Sequence, residues 1–228
     1  MNYLIVVAHP DDEALGAGAT IVKLLENQHH VAVCVLSSKC RTRYDLASDA
    51  LLTDMRKSHS ILGITDVYIG NYSCLGFHFA PHEEMVQLIE HAIVSSKADV
   101  VFTHHPADIN PDHSVAAKAC QEAARLYQRQ LASKPNRLTN MLYMEIASST
   151  DWAFPGGVPM FTPNTYVEIN DNQLTKKIDS LAVYNDVLRL PPHPRAIQSL
   201  EAGATMRGSQ CGYLYAEAFQ SAMRLEVS

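Results

Sequence analysis

The stretch Ala8-His9-Pro10-Asp11-Asp12-Glu13 gathers one imidazole and three carboxylates within a few residues. Packed together, such carboxylates repel one another. A divalent cation removes that cost, because carboxylate and imidazole are its ordinary ligands. Helix capping accounts for part of the stretch: Pro at a helix start and acidic residues in the first turn suit the helix dipole. That covers Pro10, one Asp and Glu13, but not His9. A second cluster of the same composition, His104-His105-Pro106-Ala107-Asp108-Ile109-Asn110-Pro111-Asp112-His113, lies far along the chain. A lone histidine is more often a surface or core residue than a ligand; two His/Asp-rich turns of one pattern point to a shared metal.

The elements around these turns can bring them together. Tyr3 to Ala8 and Val31 to Leu36 are nearly continuous apolar runs, as buried parallel strands require. Helical spacing follows over Glu13 to Asn27, with Gly16 and Gly18 suited to close packing on the sheet, and over Ala47 to Leu62, capped by Gly63. A short strand within Asp66 to Gly70, an irregular loop from Asn71 to Pro81, a helix from Glu83 to Ser96 and a strand from Ala98 to Thr103 come next. This alternation predicts an α/β fold: a doubly wound, mostly parallel sheet with helices on both faces. In such a sheet the carboxyl ends of parallel strands share one edge, where ligands bind. His9, Asp12 and His113 are then expected to converge.

Beyond the helix Ser114 to Gln128, a fifth strand is expected at Asn140 to Ile146 and another at Tyr166 to Ile169. Helices are expected at Asn172 to Tyr184 and Ala196 to Met206, and Gly212 to Phe219 reads as extended or loop-like. No repeat, low-complexity tract or linker interrupts residues 1–228, which read as a single domain whose last third elaborates the binding edge.

Two imidazoles and one carboxylate on Zn²⁺ leave a position open for a water, which the metal acidifies towards a pKa of about 7. Asp11, beside the ligand Asp12, is the candidate general base. Asp112 is the candidate orienter of a nearby base or ligand. Attack on an amide creates an oxyanion, and His82, Asn110 and His105 are candidate donors to it. Glu13 is expected to cap its helix or shape the site. Trp152, in Ala147 to Phe154, offers a face on which a sugar ring could stack, or a core side chain. Lys39, Arg41 and Arg43 could meet an anionic group, although a solvated loop is the simpler reading. Fe²⁺ and Mn²⁺ also suit these ligands.

Composition narrows the classes further. The chain has 228 residues, 47% apolar and 18% charged, with a formal charge of −6 and no basic patch. A globular protein with no nucleic-acid partner is expected. No apolar run approaches the roughly 20 residues that span a bilayer, and no signal-peptide pattern follows Met1. A soluble, cytoplasmic protein with no membrane partner is expected, its oligomeric state open, a homo-oligomer included. Cys34, Cys40, Cys74, Cys120 and Cys211 show no CxxC spacing and read as reduced thiols. Gly16 and Gly18 lie inside a helix, so they do not make a dinucleotide-binding turn.

The pair of motifs, AHPDDE after the first strand and HHPADINPDH after the fourth, resembles the LmbE-like or PIG-L family of zinc-dependent N-deacetylases. The PHPR turn (Pro192 to Arg195) and the AEAF segment (Ala216 to Phe219) resemble elements of its bacterial members. The resemblance implies a Rossmann-like fold and hydrolysis of an N-acetyl group on an N-acetylglucosamine-like sugar, a small-molecule substrate. By motif position it implies His9, Asp12 and His113 as zinc ligands, Asp11 as base and Asp112 as the carboxylate before the last ligand. Several members carry histidine where this chain has Asn110. Asparagine donates a hydrogen bond but holds no titrating proton, which moves the acid role to another group, His82 first. Arg56 and Arg195 are candidate contacts to a substrate phosphate or hydroxyl. Cleavage of a non-sugar amide or thiol conjugate, and a non-catalytic zinc- or sugar-binding role, are the alternatives.

Overall fold

Short apolar runs become strands here because helices cover both faces of one sheet. The computed structural model describes residues 1–39, 49–129, 137–155 and 159–225. Arg41 and Arg43 lie outside the described residues. In chain order the elements are β1 (Asn2–Val7), α1 (Asp12–Glu26), β2 (His30–Lys39), α2 (Ala50–Leu62), β3 (Asp66–Ser73), a 3-10 turn (Phe77–Phe79), α3 (His82–Ser96), β4 (Val100–His104), α4 (Pro111–Arg129), β5 (Asn140–Met144), β6 (Thr165–Ile169), α5 (Asp171–Ala182), α6 (Ile197–Ser209) and β7 (Tyr215–Arg224).

The seven described strands form one sheet in the order β3-β2-β1-β4-β5-β7-β6. From β3 to β5 the neighbours are parallel; β7 runs antiparallel to both β5 and β6. Of the segment read as extended or loop-like, Gly212 to Leu214 form a turn and the part from Tyr215 onward is an interior strand, and β2 continues through Ser37 to Lys39, where the polar sequence suggested a loop.

Pleating divides the core. Ile5, Val7, Val33 and Val35 pack with α1, α2 and the end of α5; Leu4, Val6, Ala32 and Cys34 pack with α3 and α4. Leu4 to Ala8 have no exposed surface. Burial on both faces explains why β1 reads as an unbroken apolar run, each such Val, Leu or Ile contributing about 1.5–3 kcal/mol. Gly16 lets α1 approach β5, since a Cβ there would lie 2.8 Å from Ile146 Cδ1 and 3.0 Å from Met144. α1 is not straight: Ala17 has φ −146° and ψ 16°, and the helix breaks there.

β1 lies between β2 and β4, and successive crossovers leave it in opposite directions. This is the switch point of a doubly wound sheet, where the loops after two adjacent strands diverge and open a crevice. The two His/Asp-rich turns are those loops. The described cysteines, Cys34, Cys74, Cys120 and Cys211, form no disulfide.

Candidate metal centre and active site

His9 follows β1, Asp12 opens α1, and His113 lies in the first turn of α4. All three are buried, and their donor atoms lie within 4.8 Å of one another. Asp12 Oδ2 is the hub: His9 Nδ1 and His113 Nε2 each approach it to 3.2 Å. The His9 backbone N–H donates to the same oxygen at 2.9 Å, closing the turn.

Each imidazole is aimed through its other nitrogen. His9 Nε2–H donates to Asp112 Oδ2 at 2.9 Å, and His113 Nδ1 faces Asp108 Oδ2 at 3.1 Å. Those carboxylates are themselves held. Asp112 accepts from the backbone N–H groups of Leu75 and Phe77, and Asp108 accepts from the hydroxyls of Ser149 and Thr150. The nitrogens left facing inward are His9 Nδ1 and His113 Nε2. The latter is buried without a hydrogen-bond partner, an orphan that calls for an explanation. Two lone pairs and a carboxylate oxygen converging there, with both rings oriented by carboxylates, fit a divalent metal. Two other groupings, His9–Cys74–Asp112 and His104–Asp108–His113, fit less well. His9 Nε2 and His113 Nδ1 are already engaged by Asp112 and Asp108, and His104 Nε2 accepts the Ala8 N–H at 2.8 Å.

Electrostatics separate the histidines. Burial alone would lower His9, but hydrogen bonds to Asp112 and Asp12 outweigh it and lift its pKa to about 9. Burial is likewise outweighed at His113 by Asp12 and Asp108, which raise it to about 10. At Asp12, burial works against ionisation, yet the adjacent imidazoles hold the carboxyl well below its usual range. His104, stacked on His113 with ring centroids 3.9 Å apart, is pushed down to about 3 by burial and by that neighbour.

Asp11 is buried and adopts φ 112°, ψ −26°. A non-glycine residue at positive φ is strained and persists only where its surroundings enforce it. Here Glu13 Oε2 accepts the Asp11 N–H at 3.1 Å, and Glu13 Oε1 is held by His59 Nε2 at 3.0 Å. Arg195 Nη1 lies 3.9 Å from Asp11 Oδ2, its Nε donating to Ala147 O and Ser148 Oγ.

These groups line a cavity of about 360 Å³ with Cys74, Leu75, Asn110, Ser148, Asp186, Arg189 and His193, within the range of small-molecule sites, roughly 300–1,000 Å³. Asp11, Leu75, Ser148 and Asp186, four of the six described non-glycine residues at positive φ, line it. Strain is concentrated where the walls of the crevice turn.

The structure thus brings together His9, Asp11, Asp12, Asp112, His113, Asn110 and Arg195. Asn110 also caps α4, its Oδ1 accepting the Asp112 N–H at 2.9 Å. Trp152 stands at the rim, half exposed, its ring centroid 5.4 Å from that of His193. Three expected residues lie away from this cavity. His82 does not reach the cavity, because its Nε2 is engaged by Glu122 of α4 at 2.8 Å. Arg56 lies on the solvent side of α2, whose buried residues are Leu51, Met55, Ser58, His59 and Leu62. His105 packs instead on Tyr143 and Phe161, and Lys39 is exposed. Sequence reasoning assigned no role to Asp108, His59 or His193. Asp108 stood within the second motif, and His193 within the PHPR turn; His59 carried no signal beyond its helical spacing.

A doubly wound sheet with a histidine–carboxylate cluster at its switch point defines a class of α/β proteins able to hold a metal ion there. The profile of PIG-L, described as GlcNAc-PI de-N-acetylase, matches residues 4–124. The chain belongs to this family of deacetylases and is a hydrolytic enzyme. A protein of Escherichia coli K12 named "uncharacterized deacetylase YaiS" is 26% identical over 135 residues, which is 54% of this chain and 67% of that one. Among solved structures, N,N'-diacetylchitobiose deacetylase from Pyrococcus horikoshii superposes with a TM-score of 0.72 at 19% identity, over 97% of this chain and 83% of that one. GalB, the 4-carboxy-2-hydroxymuconate hydratase of Pseudomonas putida KT2440, does so with a TM-score of 0.77 at 18% identity, over 100% and 99%. At such identities these two share the fold, and the second shows that the fold alone does not set the reaction.

Proposed function

We propose that the protein removes the acetyl group from an N-acetylated amino sugar or sugar conjugate, using a divalent ion held by His9, Asp12 and His113. The observation that carries this reading is the convergence of His9 Nδ1 and His113 Nε2 on Asp12 Oδ2, beside Asp11 in an open cavity. A divalent ion there supplies a Lewis acid for the amide carbonyl and lowers the pKa of the attacking water. Zinc is the ion favoured by the family and the nitrogen-rich donor set; Fe²⁺ and Mn²⁺ satisfy the same groups.

Asp11 takes a proton from the water as its oxygen bonds to the acetyl carbon, then delivers it to the amine nitrogen as the C–N bond breaks. The products are acetate and a free amine. Two side chains can donate to the developing oxyanion. Asn110 has its Oδ1 committed to the Asp112 N–H, which leaves its amide NH₂ as the donor. His193 accepts the Arg195 N–H at Nδ1, so Nε2 carries the hydrogen. Burial and the Arg195 and Arg189 charges lower the His193 pKa and keep the ring neutral near pH 7, so it acts as a hydrogen-bond donor rather than a cation. This takes the place of the role first given to His82, and it favours turnover over a purely binding function. Arg195, positioned by Ser148, and Trp152 at the rim are the groups for the sugar.

The test is acetate release by zinc-loaded protein from free, nucleotide-linked and glycosidic N-acetylhexosamines, with non-sugar and thiol-conjugate amides alongside. Turnover of the sugars is expected; turnover of the other amides alone would move the substrate class. Asp11→Asn should keep zinc and lose about 10²–10⁴-fold in kcat, the range for a general base. His193→Gln should lower kcat with KM little changed, and full activity in either variant removes that residue from its role.

A further inference from the structure

The AEAF segment takes no part in the chemistry above, yet its glutamate is buried. Glu217, on β7, pairs with Lys177 of α5, Nζ to Oε1 at 2.6 Å, and both residues are under one-tenth exposed. A buried ion pair is weak evidence for stability, since desolvating two charges offsets their attraction. Its hydrogen bonds show another use. In a regular helix the Ala19 N–H would donate to Leu15 C=O, and the Thr20 N–H to Gly16 C=O. Instead Glu217 accepts from Ala19 N at 3.3 Å and from Thr20 N at 2.7 Å, while Lys177 Nζ donates to Leu15 O at 2.8 Å. One residue earlier than Gly18 lies Ala17, the non-helical residue at which α1 breaks. The pair therefore caps both broken ends, the carboxylate at the new N-terminus and the ammonium at the new C-terminus, each matching the local helix dipole.

We infer that the Lys177–Glu217 pair is a positioning element of the metal centre: it holds α1 broken at Ala17, so that the short leading segment from Asp12 to Gly16 carries Asp12 to His9 and His113. A straight α1 fixed on its longer trailing half would aim that segment, and Asp11 before it, elsewhere. Gly18 belongs to the device, because a Cβ there would lie 3.0 Å from Lys177 Cγ and 3.2 Å from its Cβ. A cavity of about 220 Å³ beneath α6 is lined in part by Lys177 and Glu217.

The inference rests on the His9–Asp12–His113 reading, and the experiment separates the two. Zinc affinity of the full chain is measured by chelator competition, and the ligand field by the visible spectrum of the Co²⁺-substituted protein. The variants are Glu217→Gln, Gly18→Ala and Asp12→Ala, each checked for native far-UV circular dichroism. Asp12→Ala should abolish tight zinc binding. Glu217→Gln and Gly18→Ala should each weaken it about tenfold, the low end for groups that orient ligands, and shift the cobalt bands. Gly18→Ala removes no charge and decides the matter if Glu217→Gln does not fold. Zinc affinity and cobalt bands unchanged in the folded variants, with Asp12→Ala still abolishing binding, overturn the inference and leave the metal centre standing. Zinc affinity unaltered in Asp12→Ala overturns both.

Discussion

An imidazole binds a metal through one nitrogen and is aimed through the other, so a histidine's ligand role is decided by what holds its far side. His9 is held by Asp112 and His113 by Asp108. Asp108→Asn should weaken zinc binding about 10–100-fold while His113 remains in place; an unchanged dissociation constant in chelator competition would show that Asp108 does not aim the ring. The clustering of His9, Asp12 and His113 beside Asp11 was legible in the sequence because acidic and imidazole groups rarely gather without purpose. Asp108 was not, because nothing in a linear motif tells which carboxylate points at the metal and which stands behind a ring. Proton linkage belongs to the same scale. Without metal, His9 and His113 hold their protons above the ordinary value of 6.5, so their contribution to stability is complete below about pH 6.5 and fades as pH climbs through about 9 and about 10. His104, depressed to about 3, contributes fully above about pH 6.5 and less as pH falls. The Tm of chelator-treated protein should therefore decline between pH 7 and pH 10, while zinc, which needs those nitrogens free, binds more tightly over the same interval. A rising Tm for the stripped protein across that interval contradicts the linkage.

At the scale of elements, the parallel half of the sheet followed from its hydrophobic runs, because a strand buried on both faces has no polar positions to disguise it. β7 was harder to see. Glu217 interrupts its apolar run, and a carboxylate is tolerable there because distant groups meet it, Lys177 and the Ala19 and Thr20 N–H groups. The break in α1 was equally invisible, since its apolar spacing continues through Ala17. Close packing between α1 and β5, by contrast, is visible in Gly16. Gly16→Ala should cost about 1–3 kcal/mol through overpacking against Ile146 and Met144, read as a lower urea midpoint at constant m-value. A gain in stability, as helix propensity alone would give, would show that the contact relaxes freely.

Across the whole molecule, the PIG-L profile covers residues 4–124 and with them the three proposed ligands. The groups that steady those ligands come largely from later in the chain: Ser149 and Thr150 on Asp108, Arg195 near Asp11, and Glu217 with Lys177 on α1. Strands from both halves share one sheet, and α1 packs against α5. We propose on this ground that residues 1–228 act as one domain, and guanidinium denaturation followed by circular dichroism and by Trp152 fluorescence should give one coincident transition. Two separated transitions would divide the chain. No described helix is long and apolar enough to cross a membrane.

The position of Glu217 in the last strand also sets an order of events during synthesis. A nascent chain emerging from the ribosome displays His9, Asp12 and His113 well before Glu217, the residue inferred to hold the bend in α1. On the inference above, secure capture of an ion waits until Glu217 has emerged, well after the three residues that would hold it.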